Sequence, residues 1–147
     1  MKNGIFEIEK KNIKNIIEKN ETVSVLTINV NCENIHDDKS FILNVGLAWG
    51  MPEKELKEIE NINWFNDVLC DFIYDKYENE YKSFILILEK WSKLNLDNIF
   101  EIGGHVYDYR KKEDYLELFS VIIAQFSEFD KNYPDDHLMD FTVLLTD

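Results

Sequence analysis

Apolar positions along the chain change their spacing from segment to segment, and each change marks an element. Phe6, Ile13, Ile16 and Ile17 stand among Glu and Lys at helical spacings, which predicts an amphipathic helix over 5–19 that stops near Asn20. The stretch TVSVLTINV over 22–30 is rich in β-branched residues without a strict polar side, as in a strand covered on both faces. SFILNVGLAW over 40–49 has the same character. The polar run NCENIHDDK over 31–39 suits a loop, so the three segments together predict a hairpin with an acidic tip.

Pro52 suits a first helical turn and Glu53 and Glu55 its positive end, which predicts one or two helices over 53–78. Leu56, Ile59, Ile62 or Trp64, Phe65, Leu69, Phe72, Ile73 and Tyr77 form the expected inner side, with a break at Asn61-Ile62-Asn63. FILILEKW over 84–91 opens with five consecutive apolar residues and predicts a central strand. Phe100 and Ile102 predict a short strand before a turn at Gly103-Gly104. A broad stripe of Tyr115, Leu118, Phe119, Ile122, Ile123, Phe126 and Phe129 predicts a helix over 112–129. Alternating Met139, Phe141, Val143 and Leu145 predict a last strand over 138–146, ordered almost to Asp147. The order α-β-β-α(α)-β-α-β is that of an α+β fold. It is expected as a two-layer sandwich, with helices on one face of a four- or five-stranded mixed or antiparallel sheet.

Composition adds bulk to this pattern. A chain of 147 residues, 45% hydrophobic with ten Phe, seven Tyr and three Trp, supplies one core and predicts a single domain that buries roughly 70% of its extended surface. Cys32 and Cys70 form no close pair, so free thiols in a reducing cytosol are expected rather than a disulfide framework or a structural zinc. The opening MKNGIFEIEKKN is charged too early for a secretory signal, and no apolar run approaches membrane-spanning length. A soluble cytoplasmic protein with no cofactor is expected.

Charge narrows the partner. Sixteen basic residues face twenty-nine acidic ones, for a net −13, and this sign opposes nucleic-acid binding, which needs clustered Lys and Arg to displace counterions. The excess is uneven. Residues 1–20 carry +2, whereas 53–80 set nine acids against three lysines and 128–147 set six against Lys131. Such a field favours capture of a basic protein. The contact residues expected from the polar loops are Asp37, Asp38, Tyr133, Asp135 and Asp136, since carboxylates there meet Arg or Lys while Tyr133 combines packing with a hydrogen bond.

Motifs for catalysis are sparse. His36, His105 and His137 have no metal-ligand spacing, and the flanks of His36-Asp37-Asp38 and Asp135-Asp136-His137 are turn-like. Neither cysteine has a local base, and Cys70 lies in an apolar helical stretch that makes it a core residue. Gly103-Gly104-His105 matches neither a phosphate loop nor a dinucleotide turn. Trp49, Trp64 and Trp91 each adjoin an apolar segment and are expected mainly in the core.

Small size, acidity, a large core and the lack of a catalytic motif together resemble bacterial toxin-immunity proteins of contact-dependent or polymorphic toxin systems. That resemblance implies a non-enzymatic inhibitor that blocks a basic toxin, such as a nuclease, at its active site or an exosite. Three alternatives remain: a viral or mobile-element inhibitor that mimics nucleic-acid phosphates, a structural subunit that associates with itself or others through an apolar face, and a small hydrolase built from His105, Asp108, Arg110 and Asp114.

Overall fold

The computed structural model describes residues 3–19, 24–96, 99–102, 105–108, 111–132 and 140–147, with side chains omitted over 99–102, 105–108 and 127–132. The elements are β1 (Gly4–Glu7), α1 (Ile13–Lys19), β2 (Val25–Asn31), α2 (Asp38–Ala48), α3 (Glu53–Glu58), α4 (Ile62–Tyr77), β3 (Ser83–Glu89), β4 (Ile99–Ile102), β5 (His105–Asp108), α5 (Lys112–Asn132) and β6 (Asp140–Leu145). Short 3-10 turns occupy Lys10–Asn12, Cys32–Asn34 and Trp91–Lys93.

The α+β sandwich is present, with helices packed on a four-stranded sheet ordered β1-β6-β3-β2. All three strand pairings in that sheet are parallel, and among the described residues antiparallel pairing is confined to the separate β4–β5 pair. Parallel neighbours need long crossovers, and each connection between strands of this sheet includes a helix. The chain passes from β1 to β2 on one face, then steps back through β3 to β6 on the other, so the three crossovers share one hand.

The expected hairpin over 22–49 is not formed, because 38–48 is helical. Two local causes decide this. Asp37 and Ser40 form a reciprocal capping box, with the Asp37 carboxylate accepting from Ser40 N–H at 2.7 Å and the Ser40 hydroxyl oxygen accepting from Asp37 N–H at 3.0 Å. At the other end Gly50, at φ +91°, allows the paired bonds Gly50 N–H to Leu47 C=O and Met51 N–H to Gly46 C=O that close a helix with a left-handed residue. Phe41, Ile42, Val45 and Trp49 then share the buried side. Gly46 lies so close to the Leu56 side chain that a Cβ there would overlap it, which fixes the approach of α2 to α3.

The helix expected over 5–19 is also shorter. Residues 4–7 pair with Thr142–Leu145 as an edge strand, and only 13–19 form α1. The break at Asn61 is real: its side chain accepts from Trp64 N–H at 2.8 Å and starts α4.

Alternation along β3 and β6 divides the interior. Phe84, Leu86, Leu88, Phe141, Val143 and Leu145 face α2, α4 and α5, whereas Ile85, Ile87 and Leu144 face Ile13, Ile16 and Ile17 of α1. Helices therefore cover both faces rather than one. The main core is aromatic, with Phe41 stacked on Tyr115 at 3.9 Å and Trp49 on Phe141 at 5.7 Å.

Candidate functional site

Of the residues expected to contact a partner, Asp37 and Asp38 lie at the start of α2, while Tyr133, Asp135 and Asp136 fall outside the described residues. Both aspartates serve the fold. Partial burial pushes the Asp37 carboxyl up, but hydrogen bonds from Ser40 outweigh it, with help from His36 and Lys39, and hold the group below the usual aspartate range. Asp38 accepts the hydroxyl hydrogen of the fully buried Tyr115 at 2.9 Å, tying α2 to α5. Asp37 stays within reach of a partner, because its side chain is 45% exposed. Beside it a hollow of about 450 Å³ opens between α2 and α3, lined by His36, Ser40, Leu43, Lys57 and Ile59 among others.

The most distinctive surface is on α4. Ile62, Phe65, Leu69, Cys70 and Ile73 point into the core, and the opposite side carries Trp64, Asp67, Asp71 and Asp75. At 100° per residue these four fall within an arc of about 80° and extend for about 16 Å along the helix. Trp64 is 46% exposed, in contrast to Trp49, which is fully buried. The three aspartates are exposed and make no ion pair among the described residues. Their field reaches inward: burial, then Asp71 and Asp67, push the Cys70 thiol up to about 11. Glu58 and Glu60, both exposed, precede the stripe at the α3–α4 junction.

The outward turn of Trp64 departs from the core position expected of it. Residues two apart on a helix point about 200° away from each other, so burial of Ile62 sends Trp64 to solvent. That signal was present in the sequence as a choice between the two. Trp91 is half-buried, with Lys112 Nζ 5.5 Å from its ring centre.

Neither cysteine is poised as a nucleophile. Cys32 is buried; burial and then Glu89 push its thiol up, against an opposing pull from Lys112, to about 12. Among the described residues no group of three or more His, Cys, Asp or Glu is placed to hold a metal, and no helix is long and apolar enough to cross a membrane. The side chains of His105 and Asp108, and the whole of Arg110, fall outside the described residues.

No protein-family model, no curated protein and no solved structure matches the chain.

Proposed function

We propose that this chain is an acidic binding protein of the immunity or inhibitor kind, which docks on a basic protein domain, a toxin such as a nuclease, and neutralises it. The observation that supports this is Trp64, exposed at one end of a row of unpaired aspartates on α4. Burying the indole against a partner gives the apolar part of an anchor, and Asp67, Asp71 and Asp75 supply charge-assisted bonds to Lys or Arg around it. The wider acidic excess acts at longer range, steering encounter with a basic surface before the short-range contacts form. Inhibition then follows from occupation of the partner's active site or an exosite. Asp37 and Asp38, with Tyr133, Asp135 and Asp136, stand as further contacts of the same kind.

The test is affinity isolation of the chain from its native cells, including products of neighbouring genes, with wild type and Trp64→Ala compared. Recovery of a basic protein at equal stoichiometry and loss of that protein's activity are expected, with Trp64→Ala weakening the complex about 30-fold or more. Asp67→Lys with Asp71→Lys should slow association most at low salt. A recovered partner held equally well by both variants, or catalytic turnover by the chain itself, overturns the proposal.

A further inference from the structure

The carboxyl ends of the parallel strands carry a second surface of different chemistry. From β1 the chain turns toward the face covered by α1, and from β3 it runs on toward the face covered by α5, with β6 between them in the sheet. Where neighbouring connections part to opposite faces, the end of the strand between them is left uncovered, and open parallel sheets bind ligands at such points. Here the gap is a cleft of about 690 Å³, with Glu7–Lys10 on one side, Trp91 and Lys112 on the other, and Leu145–Asp147 at its base. A hollow of about 160 Å³ adjoins it around Lys90 and Lys93 and shares Thr146 and Asp147. The larger volume suits a metabolite-sized ligand.

Thr146 is the unusual residue. It is 3% exposed and lines both hollows, yet its Oγ1 is shut off from solvent with no hydrogen-bond partner among the described residues. Buried hydroxyls are ordinarily paired, so an orphan at a cleft floor marks a place where a ligand atom completes the bonding. The charges around it are sorted. Asp147 accepts from Ser92 N–H at 2.8 Å, Glu9 pairs with Lys11 at 3.0 Å and Lys90 pairs with Glu33 at 2.8 Å. Lys10, Lys93 and Lys112 have no carboxylate partner among the described residues, which leaves Lys10 and Lys112 on the lining of the cleft and Lys93, beside Glu89, on that of the adjoining hollow. Hydrogen bonding from Ser92, then the field of Lys112 and Lys93, lowers the Asp147 carboxyl. Glu7 and Glu113 are exposed on the lining, which sets a limit on how much negative charge the cleft accepts.

We propose that this cleft binds a small metabolite through one anionic group, a phosphate or a carboxylate, held by Lys10 and Lys112 with the Thr146 hydroxyl as a neutral donor beneath it. Contact with the anion requires the Thr146 side chain to turn about χ1, because its Oγ1 is otherwise closed to solvent. Trp91 offers a flat apolar surface to the rest of the ligand. This site is independent of the α4 surface.

An amide-resolved NMR titration with sodium phosphate, and separately with sodium acetate, tests it against sodium chloride at matched ionic strength. Saturable shifts at Ser92, Lys112 and Thr146 are expected with phosphate, acetate or both, at dissociation constants of order 1 mM, and whichever saturates identifies the anion class. Lys10→Gln and Lys112→Gln should each weaken binding about tenfold. Thr146→Val, which keeps the shape and removes the hydroxyl, should weaken it about threefold or more with the folded spectrum retained. The proposal is overturned if chloride reproduces the shifts, if neither anion saturates, or if saturating affinity is the same in all three variants.

Discussion

The two faces of the sheet differ in how they are covered. On one, α2, α4 and α5 bury a continuous aromatic core that includes Phe41, Trp49, Phe84, Tyr115, Phe126 and Phe141. On the other, one seven-residue helix with no fully buried residue lies over Ile85, Ile87 and Leu144. Both sides of β3 are shielded from water, but only the first is closed by interlocking rings. Close packing across several helices makes opening cooperative, whereas a short helix held by a few aliphatic contacts opens on its own. The thick face thus holds the fold, and α4, which belongs to it, presents Trp64 and the aspartates from a rigid base.

Thiol labelling gives the largest contrast. Cys32 and Cys70 belong to the thick face, with thiols pushed to about 12 and about 11 by burial first. With both thiols buried and raised, native labelling of either cysteine should be about a hundredfold or more slower than in denaturant. Rapid labelling of either cysteine in the folded protein breaks the comparison. Phe84→Ala, at the centre of the ring cluster, should lower unfolding free energy by about 3–5 kcal/mol in denaturant titration.

Asp37→Ala should cost about 1 kcal/mol through loss of the α2 cap. Its carboxyl is lowered in the folded state, so the carboxylate's contribution is present above the ordinary aspartate value of about 3.9 and lost as pH falls through the folded value. The stability difference between wild type and variant should therefore shrink as pH falls through the lowered folded value of Asp37. Ile16→Ala on α1 should have the smallest effect on global unfolding, about 1 kcal/mol or less, while speeding hydrogen exchange within 13–19 alone. An equal loss from Ile16→Ala and Phe84→Ala would show the two faces to be one cooperative unit.

Legibility in the sequence followed the strength of the periodicity. The run Phe84–Leu88 reads as a strand because both of its faces are buried, and the 112–129 stripe reads as a helix because it is long. Phe41–Trp49 is ambiguous, being a short run apolar at nearly every position; the capping box of Asp37 and Ser40 decides it, and the paired side chains are spelled out only as Asp-x-x-Ser. Residues 4–7 are too few to show alternation, and their pairing is with a segment more than a hundred residues away. The parallel sense depends on how α1 and α5 route the chain, which no local pattern records. The acidic excess on 53–80 was plain from composition, whereas the direction of Trp64 needed the choice of Ile62 as the buried neighbour. Thr146 gave no signal at all, since an orphaned hydroxyl exists only once the strands are aligned.

The central functional claim is most directly tested by titrating the activity of the co-isolated basic protein with this chain. Wild type should abolish activity with an end point at one equivalent, and Trp64→Ala should shift the curve to at least about thirtyfold higher concentration while retaining the wild-type unfolding midpoint. Activity that persists at several equivalents of wild type, or is abolished equally by the variant, would contradict a docking surface centred on α4.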